Sequence, residues 1–357
     1  MSQAFRDLLK KVGSGSHTSE PLSRDEAAAA GRMMLTQTAT PAQIGAFLIA
    51  HRIKRPTATE LVGLLDAYGD LGPMMMPIDT DQPVVILGCP YDGRSRTAPI
   101  VPITALLLAA AQIPVLLHGG DRMPTKAGLP LIEIWRSLGL PLDQLSLNQA
   151  RQLLQDTGFG FVYLPKHFPM AQALVEYREQ IGKRPPLATI ELFWCPYGGN
   201  AHVVSGYVHP PTEELAKGTF AHQGREPFTL IKGLEGSCDL PRSRTAIVGV
   251  TQAAADFEHL LLHASEHGFS SHDVPLDSEA DYLAALPQVL TGQPGALFDS
   301  AVWNGGFYLW RLGGCETLEA GIAEARRLLS EGQVQAKLAE IQRVAGQLNT
   351  PTEAALV

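Results

Sequence analysis

Along the first third of the chain, apolar residues recur at helical spacing, and hydroxyl residues open several of the runs. Ser23-Arg24-Asp25-Glu26 and Thr57-Ala58-Thr59-Glu60 both fit a capping box, in which the hydroxyl accepts a backbone N–H and the glutamate reaches back. Thr40-Pro41 puts proline at a first helical position. These signals predict helices over about Ser2–Val12, Arg24–Gln37, Pro41–Ile53 and Ala58–Tyr68, with Gly13-Ser14-Gly15-Ser16 as a flexible connector. The texture changes near Leu71-Gly72-Pro73. Beyond it, short apolar runs predict strands at Val84–Leu87, Val115–Leu117, Phe159–Tyr163, Thr229–Lys232 and Thr245–Val250. Helical patterns lie between them, at Met170–Gln180 and Ala254–Glu266 among others. Strands alternating with helices predict the α/β class with a mostly parallel sheet. The tail returns to helix over Ser300–Trp310, Thr317–Leu329 and Val334–Leu348. Two domains are expected, a helical one over 1–73 and a larger α/β one over 74–357.

The 357 residues have room for two domains and a large core. Hydrophobic residues at 45% against charged residues at 18% exclude a disordered chain. With 28 Lys+Arg against 36 Asp+Glu the net charge is −8, which argues against a general polyanion binder. The cysteines Cys89, Cys195, Cys238 and Cys315 are scattered without a CxxC pair, which points to a reducing, cytoplasmic setting rather than a disulfide framework. The opening MSQAFRDLLKK reads as a short charged helix without the apolar core of a signal peptide. From Thr97 to Gly120 there is no charged side chain, but the apolar part, Ile103–Leu117, is broken by Gln112 and Pro114 and is shorter than the ~20 residues a span needs. It predicts a buried helix, Ile103–Gln112, followed by a buried strand, and no membrane.

Four stretches carry candidate chemistry. Strand Val84–Leu87 runs into Gly88-Cys89-Pro90-Tyr91-Asp92-Gly93, a glycine-containing turn of the kind that holds ligands at strand carboxyl ends. Leu117-His118-Gly119-Gly120-Asp121-Arg122-Met123-Pro124-Thr125-Lys126-Ala127-Gly128 also follows a strand and concentrates donors suited to an anion. Tyr163-Leu164-Pro165-Lys166-His167-Phe168-Pro169, with Arg178 beyond it, combines groups that would hold an aromatic acid. Lys232–Arg244 offers Glu235 and Asp239 as oxygen ligands for Mg²⁺, with Arg242 and Arg244 placed for phosphate. Each has an ordinary reading as a polar turn.

Taken in this order, the four stretches resemble those of the anthranilate phosphoribosyltransferase family, within the nucleoside phosphorylase / phosphoribosyltransferase superfamily. The resemblance covers nearly the whole chain, including Ala301-Val302-Trp303-Asn304 and the helix Thr317–Leu329. It implies a small helical domain hinged to the α/β domain, rejoined by a helix near 170–180, and a homodimer formed through the helices. It also implies a tie to tryptophan biosynthesis. The family's Gly-Thr-Gly-Gly-Asp pyrophosphate loop becomes Gly88-Cys89-Pro90-Tyr91-Asp92, so two inner glycines are replaced. The following Asn-x-Ser-Thr falls near Pro99-Ile100-Val101-Pro102, without its polar groups. Lys-His-Gly-Asn becomes Leu117-His118-Gly119-Gly120. Ser-Ser-Lys-Ser-Gly becomes Pro124-Thr125-Lys126-Ala127-Gly128. The substrate-side histidine becomes Phe168, with His167 one place early, and the anthranilate-binding arginine matches Arg178. The metal-binding Asp-Glu pair aligns with Cys238-Asp239, leaving one carboxylate.

Two functions follow as expectations. In the first, a phosphorylated ligand sits in the interdomain cleft, with His118, Lys126 and Asp92 toward the phosphates, Arg178 and His167 toward the acceptor, and Mg²⁺ on Glu235 and Asp239. Transfer is then inefficient, because each lost donor forfeits ~2.7–4 kcal/mol of transition-state stabilisation. The alternative is a catalytically silent nucleic-acid binder using Arg242, Arg244, Lys183, Arg184, Lys10 and Lys11. A further motif, His263-Ala264-Ser265-Glu266-His267 with His259 a turn earlier, matches the inverted zinc-protease pattern, but it reads here as a solvated helix face.

Overall fold

Each capping signal in the sequence forms. In this computed structural model, which describes residues 2–15, 17–225, 227–251 and 257–350, four helices open the chain: α1 (Gln3–Gly13), α2 (Arg24–Leu35), α3 (Pro41–Lys54) and α4 (Ala58–Leu71). Capping boxes at Ser23/Glu26, Thr40/Gln43 and Thr57/Glu60 satisfy orphan amides at the starts of α2, α3 and α4. Helices α2 and α4 pack almost backbone to backbone. A Cβ at Gly63 would sit 2.7 Å from the Cβ of Ala27 and closer still to the Arg24 carbonyl, so only glycine fits there.

Glu60 does more than cap. It is fully buried, accepts from the amides of Leu22 (2.9 Å) and Thr57 (2.8 Å), and pairs with Lys54 at 2.8 Å. Burial pushes its carboxyl up, but His51, the Leu22 amide and Lys54 outweigh it and hold the group down at about 2.

Among the described residues, seven strands form one sheet in the order β3-β2-β1-β4-β5-β6-β7. These are β1 (Val84–Gly88), β2 (Val115–Gly119), β3 (Phe159–Tyr163), β4 (Ala201–Gly206), β5 (Phe228–Ile231), β6 (Ala246–Val250) and β7 (Glu258–Leu262). The first five pair parallel, and β6 and β7 add antiparallel. The buried strands alternate strictly. Val85 and Leu87 enter the core on one face, under the helices Val101–Ala110, Ala296–Arg311 and Leu318–Ser330. Val84 and Ile86 enter the other core, which runs without interruption into Phe5, Phe47, Leu64 and Tyr68 of the helical bundle. The bundle and the sheet therefore share one apolar core.

Three expectations are corrected. The helix expected over Ala254–Glu266 does not form: 254–256 lie outside the described residues, Glu258–Leu262 is an edge strand, and Ala264–His267 is a single 3₁₀ turn. Backbone pairing with β6, a tertiary contact, overrides the local helical pattern. Strand β4 carried no clear apolar run, because His202 and Ser205 interrupt it; inside the sheet His202 Nε2 meets Thr229 Oγ1 at 2.9 Å. The helix expected over Met170–Gln180 is split into Pro169–Gln172 and Val175–Ile181. The second piece lies against the bundle, where Tyr177 Oη donates to Gln37 Oε1 at 2.6 Å. The charge-free stretch contains the helix Val101–Ala110, buried from Val101 to Ala109, and β2, and no helix among the described residues is long and apolar enough to cross a membrane.

Replacing Glu60 by alanine strands Lys54 and two amides in the interior, and should destabilise the protein by roughly 3–5 kcal/mol in denaturant unfolding. Because the folded carboxyl lies at about 2, below its unfolded value, its stabilisation is complete above the usual carboxylate range and drains away as pH falls toward 2. The Glu60→Ala protein should lack that share of the acid sensitivity; equal midpoints for the two proteins would refute the assignment.

Candidate functional site

The strand order reverses direction at β1, which has β2 on one side and β4 on the other. Loops leaving the carboxyl ends of strands diverge at such a point and leave a crevice. Here the loop after β1 is stitched to the loop after β2. The Gly128 amide donates to the Asp92 carbonyl at 3.0 Å, and Arg94 and Leu129 exchange backbone hydrogen bonds of 3.1 and 2.7 Å. The chains cross so closely that a Cβ at Gly93 (φ +71°) would meet the Gly128 carbonyl at 2.5 Å. Glycines that suggested a phosphate cradle thus serve loop-to-loop contact. The tight course also puts Thr125 (φ 78°) and Ala127 (φ 50°) in the left-handed region, one on either side of Lys126.

This clasp drives Arg94 into the interior, where it is 5% exposed. Its guanidinium donates to Ser237 Oγ at 2.7 Å and to Glu235 Oε1 at 3.3 Å, and makes shorter contacts with Asp239 and Thr97 Oγ1. Glu235, the residue expected to hold Mg²⁺ with Asp239, is saturated. Its Oε1 also accepts from the amides of Arg96 (3.0 Å) and Thr97 (2.9 Å), and its Oε2 takes Lys126 Nζ at 2.9 Å. Burial raises this carboxyl, but Lys126, the Thr97 amide and Arg94 pull it well below the ordinary range. Asp239 gives its Oδ2 to Arg94 and to the Ile100 amide at 3.1 Å, leaving Oδ1 buried and unpartnered. One free carboxylate atom behind a guanidinium does not fit a hard dication, which wants several open oxygens. No group of three or more His, Cys, Asp or Glu converges to hold a metal among the described residues.

The crevice beside the end of β2 is filled by aromatic side chains. Tyr91, from the expected pyrophosphate loop, is buried, and its Oη lies 2.6 Å from His118 Nδ1. His118 stacks edge-on to Trp194 (5.2 Å between ring centres), and Trp194 meets Tyr68 and Phe168, each at 5.8 Å. This seam joins α4 of the bundle to the sheet. Burial lowers the His118 imidazole to about 4, so at neutral pH it is uncharged and offers no cation to a phosphate.

Behind the seam lies a second charge cluster. Arg178, expected to face an aromatic acid, is 2% exposed and donates to Glu191 Oε1 at 2.7 Å, with Asp92 Oδ1 at 3.5 Å. Arg184 Nε reaches Asp92 Oδ2 at 2.5 Å, an ion contact without hydrogen-bond alignment. Burial pushes Glu191 up to about 7, Arg178 opposing and Asp92 adding to the rise.

The other expected residues lie apart. Gly88 packs its Cα against the Leu192 carbonyl, and Gly119 ends β2. Arg122 is clamped by Glu133 and Glu279, at 2.5 and 2.6 Å. His167 accepts from the Tyr163 amide at 3.0 Å and sits against the Leu145 carbonyl, half-buried and away from the crevice. Arg242 is buried and fastens the carbonyls of Phe269 and Ala296, while Arg244 is exposed near the Lys232 carbonyl. Lys10 pairs with Asp7 and Lys11 with Glu26. The zinc-protease pattern is divided between β7 and a 3₁₀ turn, with His259 on Glu213 at 2.9 Å and His263 near Thr245.

What remains open has two parts. Beside Arg94, Cys89 and Ser237 there is a cavity of about 20 Å³, room for about one water. Farther out, between the bundle and the α/β domain, an open cleft of about 350 Å³ is walled by Arg52, Pro90, Arg184, Thr189, Tyr207 and His209. Arg94, Glu191 and Trp194 were not singled out in the sequence. Arg94 had one signal, a basic residue two places after the only acidic residue of a glycine turn; Glu191 and Trp194 sit in an ordinary helical run and had none.

Comparison with known proteins identifies relatives of both domains. The helical bundle domain of the glycosyl transferase family matches residues 6–72, and the a/b domain of the same family matches residues 93–335, so Gly88–Asp92 falls between the matched segments. Anthranilate phosphoribosyltransferase of Azorhizobium caulinodans is 29% identical over 352 residues, covering 96% of each chain. That of Rhizobium meliloti is 29% identical over 89% of this chain and 93% of its own. Among solved structures, the Saccharomyces cerevisiae enzyme in complex with PRPP and Mg superposes with a TM-score of 0.82 at 14% identity, covering 97% of this chain and 99% of that one. The Thermus thermophilus enzyme gives 0.78 at 19%, covering 97% and 100%.

The Glu191 position yields a pH prediction. Its folded value of about 7 lies above the unfolded one, so stability from this group is complete below the ordinary carboxylate range and falls as pH rises toward 7. Glu191→Gln should therefore gain on the parent between pH 5 and 8, by on the order of 1–3 kcal/mol. Thermal unfolding across that range checks it, and parallel curves would contradict it.

Proposed function

Because this chain belongs to the glycosyl transferase family, with both its helical-bundle and its α/β domain, we propose that it binds a phosphorylated small molecule in the interdomain cleft without efficient phosphoribosyl transfer to anthranilate. The observation that carries this is the charge arrangement. The outer cleft keeps Arg52, Arg184 and His209 on its walls, and its one carboxylate, Glu235, is already neutralised by Arg94 and Lys126. A cleft of about 350 Å³ falls in the range of small-molecule sites. Arg184, with its side chain 48% exposed, is the cation best placed to exchange Asp92 for a ligand phosphate.

The family chemistry fares differently. Phosphoribosyl transfer needs the leaving pyrophosphate neutralised by a metal and by backbone donors. Here Pro90 supplies no amide, Tyr91 fills space toward His118, and Lys126 is committed to Glu235 and the Gly93 carbonyl, at 2.9 Å each. Arg178 is bound to Glu191 where an acceptor carboxylate would need it. In this proposal the chain's residues bind and orient an anion but leave ribosyl transfer without its leaving-group stabilisation. Mg²⁺ has no part in binding. The free cysteines Cys89, Cys195, Cys238 and Cys315 suit a cytoplasmic setting. Dimerisation through the bundle is included in the proposal, with Ile53, 69% exposed beside the groove between α1 and α3, at the contact.

Titration calorimetry with phosphoribosyl pyrophosphate and with inorganic pyrophosphate, each in chelator, tests the binding. Saturable heat is expected, weakened roughly tenfold or more in Arg184→Ala if one charge-assisted contact is lost. No heat at millimolar ligand would refute it. In the same preparation anthranilate fluorescence should persist with phosphoribosyl pyrophosphate and Mg²⁺ present; its consumption at an ordinary enzymic rate would overturn the catalytic half.

A further inference from the structure

We infer that the Arg94 guanidinium is a built-in replacement for the divalent cation at the Glu235–Asp239 site, and that removing it uncovers a metal site which the native chain keeps closed. The inference holds whatever ligand the outer cleft takes, because it concerns only the floor beneath.

Position comes first. Glu235 and Asp239 lie in the loop that leaves the carboxyl end of β5, and Arg94 enters from the loop that leaves β1. The guanidinium lies between the two carboxylates, touching Glu235 through Nε and Asp239 and Ser237 through one terminal nitrogen. A planar group with donors on several edges can bridge two carboxylates as a small dication does, with the hydrogen bonds directed in its own plane.

Charge comes second. Two carboxylates face Arg94 and Lys126, so the cluster sums to zero before Arg96, whose Nε lies 3.6 Å from Glu235, is added. A metal would have to displace a buried arginine, not fill a negative hole. Among the described residues the cluster has no second acidic layer to recruit.

Incompleteness comes third. Asp239 is 1% exposed, yet its Oδ1 has no partner. A buried carboxylate oxygen left bare is costly, and it marks a ligand position that the guanidinium covers only on one side. If Arg94 were cut back to alanine, Asp239 would keep only the Ile100 amide on Oδ2, Glu235 would keep Lys126 and its amides but lose the guanidinium, and Ser237 Oγ would keep the Asp239 amide as its donor. Two carboxylates and a hydroxyl around a space large enough for waters form the kind of set Mg²⁺ and Mn²⁺ accept.

Mn²⁺ serves as the probe, read by the loss of its free-ion electron paramagnetic resonance signal, with thermal unfolding as a second readout. The native protein should leave the Mn²⁺ signal undiminished at micromolar protein, and its unfolding temperature should not respond to Mn²⁺. Arg94→Ala should bind about one Mn²⁺ and regain unfolding temperature as Mn²⁺ is added. Arg94→Ala/Asp239→Asn should do neither, whereas Arg94→Lys should behave as the native chain. Stoichiometric Mn²⁺ binding by the native protein that disappears in Asp239→Asn would overturn the inference. So would an Arg94→Ala protein that is folded but takes up no Mn²⁺, or one that stays unfolded at millimolar Mn²⁺. Folding of Arg94→Ala only in the presence of Mn²⁺ would support it.

Discussion

The structure turns on buried charge matched to buried charge. Arginines 94 and 178 and carboxylates 92, 191, 235 and 239 are all withdrawn from water, and each has an opposite charge in contact. An isolated ion in such surroundings would cost several kcal/mol, so these groups are tolerable only as sets. A cleft built to hold an anion must do the reverse and leave cations incompletely paired, so that the ligand completes them. Pairing within the protein and readiness for a ligand compete for the same lone pairs, and here pairing within the protein has claimed Arg94, Lys126 and Arg178.

The aromatic seam follows from the same withdrawal. At the ends of β1 and β2 the space is filled by Tyr91, His118, Trp194 and Phe168, and Tyr68 reaches into it from α4. Side chains that fill a crevice also weld its walls. The apolar core that begins at Phe5 continues through Leu64 and Tyr68 to Val84, Ile86 and Leu116 in the sheet. Movement of the bundle against the sheet would have to open this core. The outer cleft, walled by surface arginines and prolines, escapes that constraint and is the part of the crevice where a small molecule meets no packed side chain.

Backbone shape is shared here across a wide distance in sequence. The chain superposes on the yeast enzyme over nearly its full length at 14% identity. That is enough likeness to fix helices, sheet order and loop origins, because those depend on where apolar residues recur. It is far too little to fix which atoms line the crevice, because a single side chain such as Tyr91 both fills volume and keeps a ligand from the backbone.

The sequence by itself determined what local physics decides: the capped helices α2 and α4, the buried strands β1, β2 and β3, the absence of a long apolar span, and a glycine-containing turn after β1. Edge strand β7 and the polar strand β4 escaped it, since both exist through pairing partners distant in the chain. The fates of His118, Lys126, Arg178, Glu235 and Asp239 were likewise invisible there. Whether a charged side chain faces a ligand or a neighbour depends on residues that only the fold brings close, more than a hundred positions away where Arg94 meets Asp239 and Lys126 meets Glu235. Only the folded arrangement decided that, because Coulomb energy and desolvation depend on distances in space and not on spacing along the chain.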